Sequence, residues 1–343
     1  MKRILPLFLA LALLLTGCAA VSTTESTSQT VSQVDSPSSA PESASSQLES
    51  TSSQLESVGE VSITDSNGSQ ITLDTSAPRV VAAYGSFAEA WLLAGGELCG
   101  VTQDALEQRD LGLPEDIAVV GTVKEPNAEE IIALEPDLVL LASDITAQAE
   151  IRDVLENAGL ACAFFQVDTF ADYAFMMEQL CAVTGREDLY EENVTQVGQQ
   201  IEEAQAKAAL SSTRPNVLLI RAFSTGIKAK TDDELAGAIL KDLGAHNIAD
   251  DHPSMLEDLS LEEVIAADPD YIFVTTMGDE QKALDYLNGL IQQNPAWSEL
   301  SAVKEDRYVV LPKDLFHYKP NNRWGESYQY LGEILYPQLF HEE

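Results

Sequence analysis

Near the end of the chain, Phe316-His317-Tyr318-Lys319 is followed shortly by Arg323, an aromatic and cationic run in a protein with 56 acidic residues against 19 Lys and Arg. A guanidinium grips carboxylate or catecholate oxygens in a fork and stacks on aromatic faces, so such a run suits an anionic, aromatic or metal-chelating ligand. Related residues stand where buried apolar runs end: Tyr84 and Ser86, the loop from Lys124 to Asn127, Ser143 with Asp144, Arg221 with Phe223, and Met277. Ligands of open α/β sheets bind beyond the carboxyl ends of the strands. That rule gathers a candidate ligand-binding set of Tyr84, Ser86, Lys124, Asn127, Ser143, Arg221, Phe223, Met277, Phe316, His317, Tyr318 and Arg323, with Lys228 and Lys319 as further cations. Tyr84, His317 and Met277 are also residue types that ligate haem iron axially.

Other chemistry finds less support. Ser86 sits at a strand-to-helix turn, yet Tyr84 and Ala88 occupy the glycine positions of a nucleophile elbow, while Ser86 and Glu89 have the spacing of a capping box. There is no phosphate loop and no HExxH, so catalysis is not expected. The four histidines, His246, His252, His317 and His341, offer no three with the spacing of a zinc or manganese site.

The elements that would position these residues are announced by a repeat. Ala128 to Ser143 reads AEEIIALEPDLVLLAS and Leu261 to Thr276 reads LEEVIAADPDYIFVTT. Each predicts a short helix, stopped before a proline, that runs into a buried parallel strand. Asn127 and Ser260 read as the helix N-caps, with Glu130 and Glu263 as capping-box partners. Glu129 and Glu262, one position earlier, then point about 100° away around the helix, toward solvent. Two copies predict two similar α/β lobes.

In order, Val61 to Leu73 reads as a hairpin around Ser66-Asn67-Gly68-Ser69. Strands are expected at Val80–Tyr84, Leu98–Val101, Val119–Val120, Leu138–Leu141 and Cys162–Val167, with helices at Ala147–Ala158 and Asp172–Thr184 among those between. From Glu187 to Leu210, Tyr190, Val194, Val197, Ile201, Ala204 and Ala208 make one helical stripe. A second α/β set follows, closing with a helix from Asn322 to Phe340.

A formal charge of −37 excludes nucleic acid and basic-patch membrane adhesion, and fits a soluble surface. Lys2 and Arg3 precede the apolar run Ile4 to Leu15 and then Leu15-Thr16-Gly17-Cys18, which resembles a bacterial lipobox in which the cysteine is lipidated; a plain secretory signal is the alternative. Residues 19–57 are Ser/Thr-rich, repeat SSQLES, and read as a disordered tether. Cys99, Cys162 and Cys181 show no framework spacing, so buried thiols are expected, with a Cys162–Cys181 pair left open.

Lipobox, tether, α/β lobe, long helix and second α/β lobe together resemble the solute-binding lipoproteins of ABC importers for iron complexes, haem and cobalamin. The wording that carries this best is VVAAYGSFAEAWLLAGG, the two repeats, and LFHYKPNNRWGESYQYLGEILYP at Leu315 to Pro337. The resemblance implies an α/β fold of two Rossmann-like lobes with mainly parallel sheets, over 58–186 and 211–343, joined by one rigid helix over 187–210. It implies a monomer without a cofactor, anchored by a lipid at Cys18 to the outer face of the membrane, that binds solute between the lobes and works with a permease and ATPase. Glu129 and Glu262, one per lobe, match positions that dock onto permease arginines. A ferric siderophore suits the cations, haem would need one of the axial candidates, and cobalamin would use the aromatics. A surface enzyme or an adhesin is the alternative of another class.

Overall fold

Two proline–aspartate corners set the architecture. In each repeat the helix ends on a residue of left-handed backbone, Glu135 (φ 49) and Asp268 (φ 42), which precedes Pro136 or Pro269. A residue before proline is disfavoured in the right-handed helical region, so the helix cannot continue there. The next aspartate ties the new strand to its neighbour. Asp137 accepts the Arg79 N–H at 2.7 Å and donates its own N–H to the Arg79 carbonyl at 2.9 Å. Asp270 makes the same pair of bonds with Asn216, both at 2.8 Å. The repeat is therefore one structural unit used twice.

These corners belong to a computed structural model that describes residues 60–257 and 259–341. The expected leader over 1–18 with Cys18, and the whole tether expected over 19–57, lie outside the described residues. Strands β1 (Val61–Thr64) and β2 (Gln70–Leu73) form the expected hairpin. Buried Asp65 holds its turn by accepting the N–H groups of Asn67 and Ser69, and fastens it to the sheet through the Phe164 N–H. Next come β3 (Val80–Ala82), β4 (Leu98–Val101), β5 (Ala118–Val119), a small hairpin of β6 (Gly121–Thr122) and β7 (Glu125–Pro126), then β8 (Leu138–Ala142) and β9 (Ala161–Phe165). The parallel sheet runs β5-β4-β3-β8-β9. Every residue of β8 is buried, as a central parallel strand requires.

The second sheet is built from β10 (Asn216–Phe223), β11 (Gly226–Lys230), β12 (His246–Asn247), β13 (Tyr271–Thr276) and β14 (Tyr308–Val310), in the order β11-β10-β13-β14. Short β12 pairs with the start of β10, beside β11 on the same edge. The β10–β13 and β13–β14 pairings are parallel. Antiparallel β11 and the β6–β7 hairpin were not expected, and both are short edge features without a long apolar run. The expected helix over 147–158 breaks at Ile151 into Thr146–Glu150 and Arg152–Asn157. The closing helix divides into Trp324–Leu335 and Pro337–Phe340, because Pro337 cannot donate within a helix interior.

Between the sheets runs a helical stretch from Glu187 to Ala209, α-helical except for a π-turn at Glu191–Thr195. Val194, Val197, Ile201, Ala204 and Ala208 of its stripe are buried. It packs along the Trp324–Leu335 helix, where Gly325 allows close approach: a Cβ there would meet the Gln200 amide at 2.1 Å. One core cluster extends from β3 and β8 through these helices to Val217, Leu219 and Phe273 of the second sheet. Separate cores fill the outer face of each sheet. The connecting helix is thus packed against the Trp324–Leu335 helix, and both contribute to one continuous core.

Candidate ligand-binding site

The strand order of the first sheet reverses between β3 and β8, and chain leaving those carboxyl ends carries Tyr84 and then Ser143 with Asp144. In the second sheet Arg221 and Phe223 close β10 while Met277 follows β13, its N–H bonded to Ala222 O at 2.9 Å. The segment from Lys313 to Arg323 passes between the two sets. Lys313 reaches over the end of β13 to donate to Gly278 O at 2.6 Å, and Lys319 pairs across the lobes with Asp168 at 3.2 Å.

Electrostatics tie these residues into one cluster. Burial raises the Tyr84 phenol above its ordinary value; Lys319 opposes this, while Asp104 and Asp144 reinforce it. Burial also depresses His317, helped by Arg221, Lys313 and Lys319, to about 4, so its imidazole is neutral at physiological pH. Tyr318 is raised by burial and by Glu280, with Arg109 opposing and Tyr84 and Asp104 within reach. Burial would raise Asp168, but the Gln166 amide and the Lys319 ammonium outweigh it and hold the carboxyl low. Among the described residues, nine buried side-chain polar atoms lack a partner. Five of them belong to this region: Thr102 Oγ1, Asp104 Oδ1, Arg221 Nε, Thr276 Oγ1 and His317 Nδ1. Unsatisfied buried groups are costly, and these five lie at or just beyond strand ends and in the segment that passes between the two sheets.

Several expected site residues have other employment. Ser86 is buried and accepts from Arg109 at 2.8 Å, and it forms no capping box with Glu89; Tyr84 is the N-cap of that helix. Phe316 is a core residue, 1% exposed and packed against Tyr330. The Arg323 guanidinium is forked onto Glu326 and bonded to Asp314 at 2.8 Å, and with Tyr318 it lines a separate concavity of about 300 Å³. Asn127 caps its helix, accepting from Glu129 N–H and Glu130 N–H, and Lys124 is exposed at the tip of the β6–β7 hairpin. Ser143 Oγ donates to Phe165 O, and Lys228 is exposed on β11. Arg221 is paired with Glu234, which Lys230 shares.

Neither repeat closes a full capping box. The Asn127 N–H is already bonded to Val120 O, which leaves Glu130 exposed, and Glu263 instead accepts from Ser254 Oγ at 2.9 Å. Glu129 and Glu262 both stand exposed in the first turns of their helices. Among the described residues the three cysteines, Cys99, Cys162 and Cys181, are free, and burial pushes Cys162 up to about 12 and Cys181 up to about 11. A Cys162–Cys181 bond is absent from the structure.

The junction beneath this cluster was missed by sequence reasoning. Arg109 pairs with Glu89 and donates to Ser86 Oγ and to Lys319 O, while Asn321, fully buried with φ 52, donates to Ser86 O at 2.9 Å and to Glu89 at 2.6 Å. Asn322 adds a bond to Asn193 at 3.0 Å. Asp104 was within reach of the strand-end rule, since it follows β4; Arg109 carries no local signal, because its partners lie 20 to 210 residues away. A larger concavity of about 560 Å³ lies elsewhere, beside Asp65, Asp168 and Asp172, and has no cationic lining.

Residues 80–315 match the family model for periplasmic binding proteins. The Fe(3+)-citrate-binding protein YfmC of Bacillus subtilis is 26% identical over 262 residues, covering 74% of this chain and 78% of that protein. The high-affinity heme uptake system protein IsdE of Staphylococcus aureus is 23% identical over 224 residues, covering 64% and 75%. The solved petrobactin-binding protein YclQ of Bacillus subtilis has the same fold, with a TM-score of 0.64 at 18% identity over 83% of this chain and all of that one. Two mainly parallel sheets and a family-model match across most of the folded chain lead to one assignment: the chain belongs to the periplasmic binding protein family.

Proposed function

We propose that this protein is the extracytoplasmic solute-binding component of an ABC importer and captures a ferric chelate at the junction of its two sheets. The observation that carries the reading is the convergence, from both lobes, of Tyr84, Tyr318, His317, Lys319 and Arg221 around unpartnered buried polar atoms. Relatives named for ferric citrate and for haem support an iron complex as cargo. Arg221, Lys313 and Lys319 supply charge for chelate oxygens, and the two tyrosines supply ring faces and hydroxyl donors. Haem is the second reading, favoured by one feature: His317 is neutral and its Nδ1 has no partner, as an axial ligand requires.

The same proposal includes lipid attachment at Cys18, a tether over 19–57, lobes over 58–186 and 211–343 around the connecting helix 187–210, and a monomer that meets a permease through Glu129 and Glu262. Their exposure on equivalent helix turns supports that docking role. Calorimetric titration with ferric citrate, a ferric catecholate, a ferric hydroxamate and haem tests the reading. Saturable binding of one of them, weakened about tenfold or more by Lys319→Ala, is expected. Absence of binding to all four would overturn it.

A further inference from the structure

Lys319 is laid across the carboxyl ends of the first sheet. One nitrogen of Arg109, Nη2, donates to Ser86 Oγ at 2.8 Å and to Lys319 O at 2.9 Å, so the Lys319 backbone stands beside the chain that leaves β3. Its Nζ reaches Asp168 Oδ1 at 3.2 Å, on the chain that leaves β9. In the sheet β8 lies between β3 and β9, which puts those two strands about 10 Å apart. The Lys319 side chain therefore spans from one flank of β8 to the other, across the end from which Ser143 and Asp144 follow. The two halves of the ion pair are unequal. The Lys319 side chain is 16% exposed and that of Asp168 is 47% exposed. Asp168 also accepts from the Gln166 amide through its other oxygen, at 2.6 Å.

When such a pair opens, the carboxylate keeps one donor and returns to water, whereas the ammonium is left largely buried and needs a new acceptor. The other cations near the strand ends are held differently. Glu234 on Arg221 is 16% exposed and also binds Lys230 at 2.7 Å, Arg323 is divided between Asp314 and Glu326, and Lys313 donates to a carbonyl. Of these four, Lys319 is the one whose partner is a single, solvent-facing carboxylate. Resting on the reading of the site as an iron-chelate cleft, we infer that Asp168 is a specificity-determining residue that stands in for cargo oxygen: an anionic ferric chelate replaces it on Lys319, and the carboxylate turns out to solvent. A pair open to water on its acid side is weak, so an anionic chelate makes the exchange at little cost. A chelate without free anionic oxygen strands the ammonium instead, and the pair thereby discriminates against it.

The test is calorimetric titration of the full chain with ferric citrate, a ferric tris-catecholate and haem, which all carry free negative charge, and with a neutral ferric trihydroxamate. For whichever anionic probe binds, Asp168→Asn is expected to tighten binding by about threefold, because the chelate no longer competes with a carboxylate for Lys319. In a Lys319→Ala background the same substitution is expected to change affinity by less than about 1.5-fold. A merely structural pair predicts the opposite sign, since loosening this segment would weaken binding. Asparagine keeps the size of the side chain and an oxygen for the Gln166 amide, so the fold is expected to be retained, read as an unchanged circular dichroism spectrum. Unchanged or weaker binding by Asp168→Asn, or a gain that persists undiminished without Lys319, overturns the inference and leaves the iron-chelate reading intact. Binding of the trihydroxamate alone by the wild type does the same. If none of the four probes binds the wild type, the iron-chelate reading falls and the exchange falls with it.

Discussion

Replacing Arg109 by methionine should loosen the junction that holds the two lobes at one angle. Its side chain is 10% exposed and makes an ion pair to Glu89 and hydrogen bonds to Ser86 Oγ at 2.8 Å and Lys319 O at 2.9 Å, the last of these from one lobe to the other. Methionine keeps most of the stem volume, so the loss is electrostatic. Removing one partner of a buried pair costs about 3 to 5 kcal/mol, much of it from the charge left behind. Here Glu89 keeps the Asn321 amide at 2.6 Å, which argues for the lower end, roughly 3 kcal/mol. At about 2 °C per kcal/mol for a chain of this size, the melting temperature should fall by about 6 °C in scans followed by circular dichroism. Adding Glu89→Gln should restore part of the loss, because the uncompensated carboxylate is then gone. A fall below about 2 °C, or further destabilisation by the second substitution, would refute the reasoning.

Two more outcomes follow from the same structure. Glu129→Ala combined with Glu262→Ala should abolish iron uptake in cells while ligand affinity stays unchanged, each side chain being exposed and worth only about 0.3 to 1 kcal/mol to its helix terminus; normal uptake would remove the docking role. Because folding lowers His317 from 6.5 to about 4, the unfolded chain binds a proton between those values that the folded chain does not. Its contribution is therefore full above pH 6.5 and is lost as pH falls toward 4, so His317→Gln should flatten the stability profile in that window by on the order of 3 kcal/mol, read from urea midpoints.

Much of the fold was legible because its signals are local. Pro136 and Pro269 close their helices, Leu138 to Leu141 is too short and too apolar for anything but a central strand, and the repeat declared two similar sheets. One rule about strand ends is what nominates Tyr84, Arg221, His317 and Tyr318 as candidates. The rule could not see how side chains are used once the chain is folded. Phe316 turned inward because alternate residues of a short helical turn face opposite ways, and Arg323 was claimed by Glu326 three residues on, a pairing the helix spacing itself offers. Glu234 on Arg221, Asp168 on Lys319, and the Arg109–Glu89–Asn321 junction depend on contacts between distant segments, for which no periodicity exists.

The central claim is that cargo iron sits where the carboxyl ends of the two sheets face each other. The most direct measurement is an anomalous-difference map, collected at the iron edge, from crystals of the protein saturated with a ferric chelate or haem. The account predicts one iron peak bounded by Tyr84 and Asp144 on one side and by Arg221, His317 and Lys319 on the other. A peak in the acidic concavity beside Asp65 and Asp172, or on the outer face of either sheet, would contradict it.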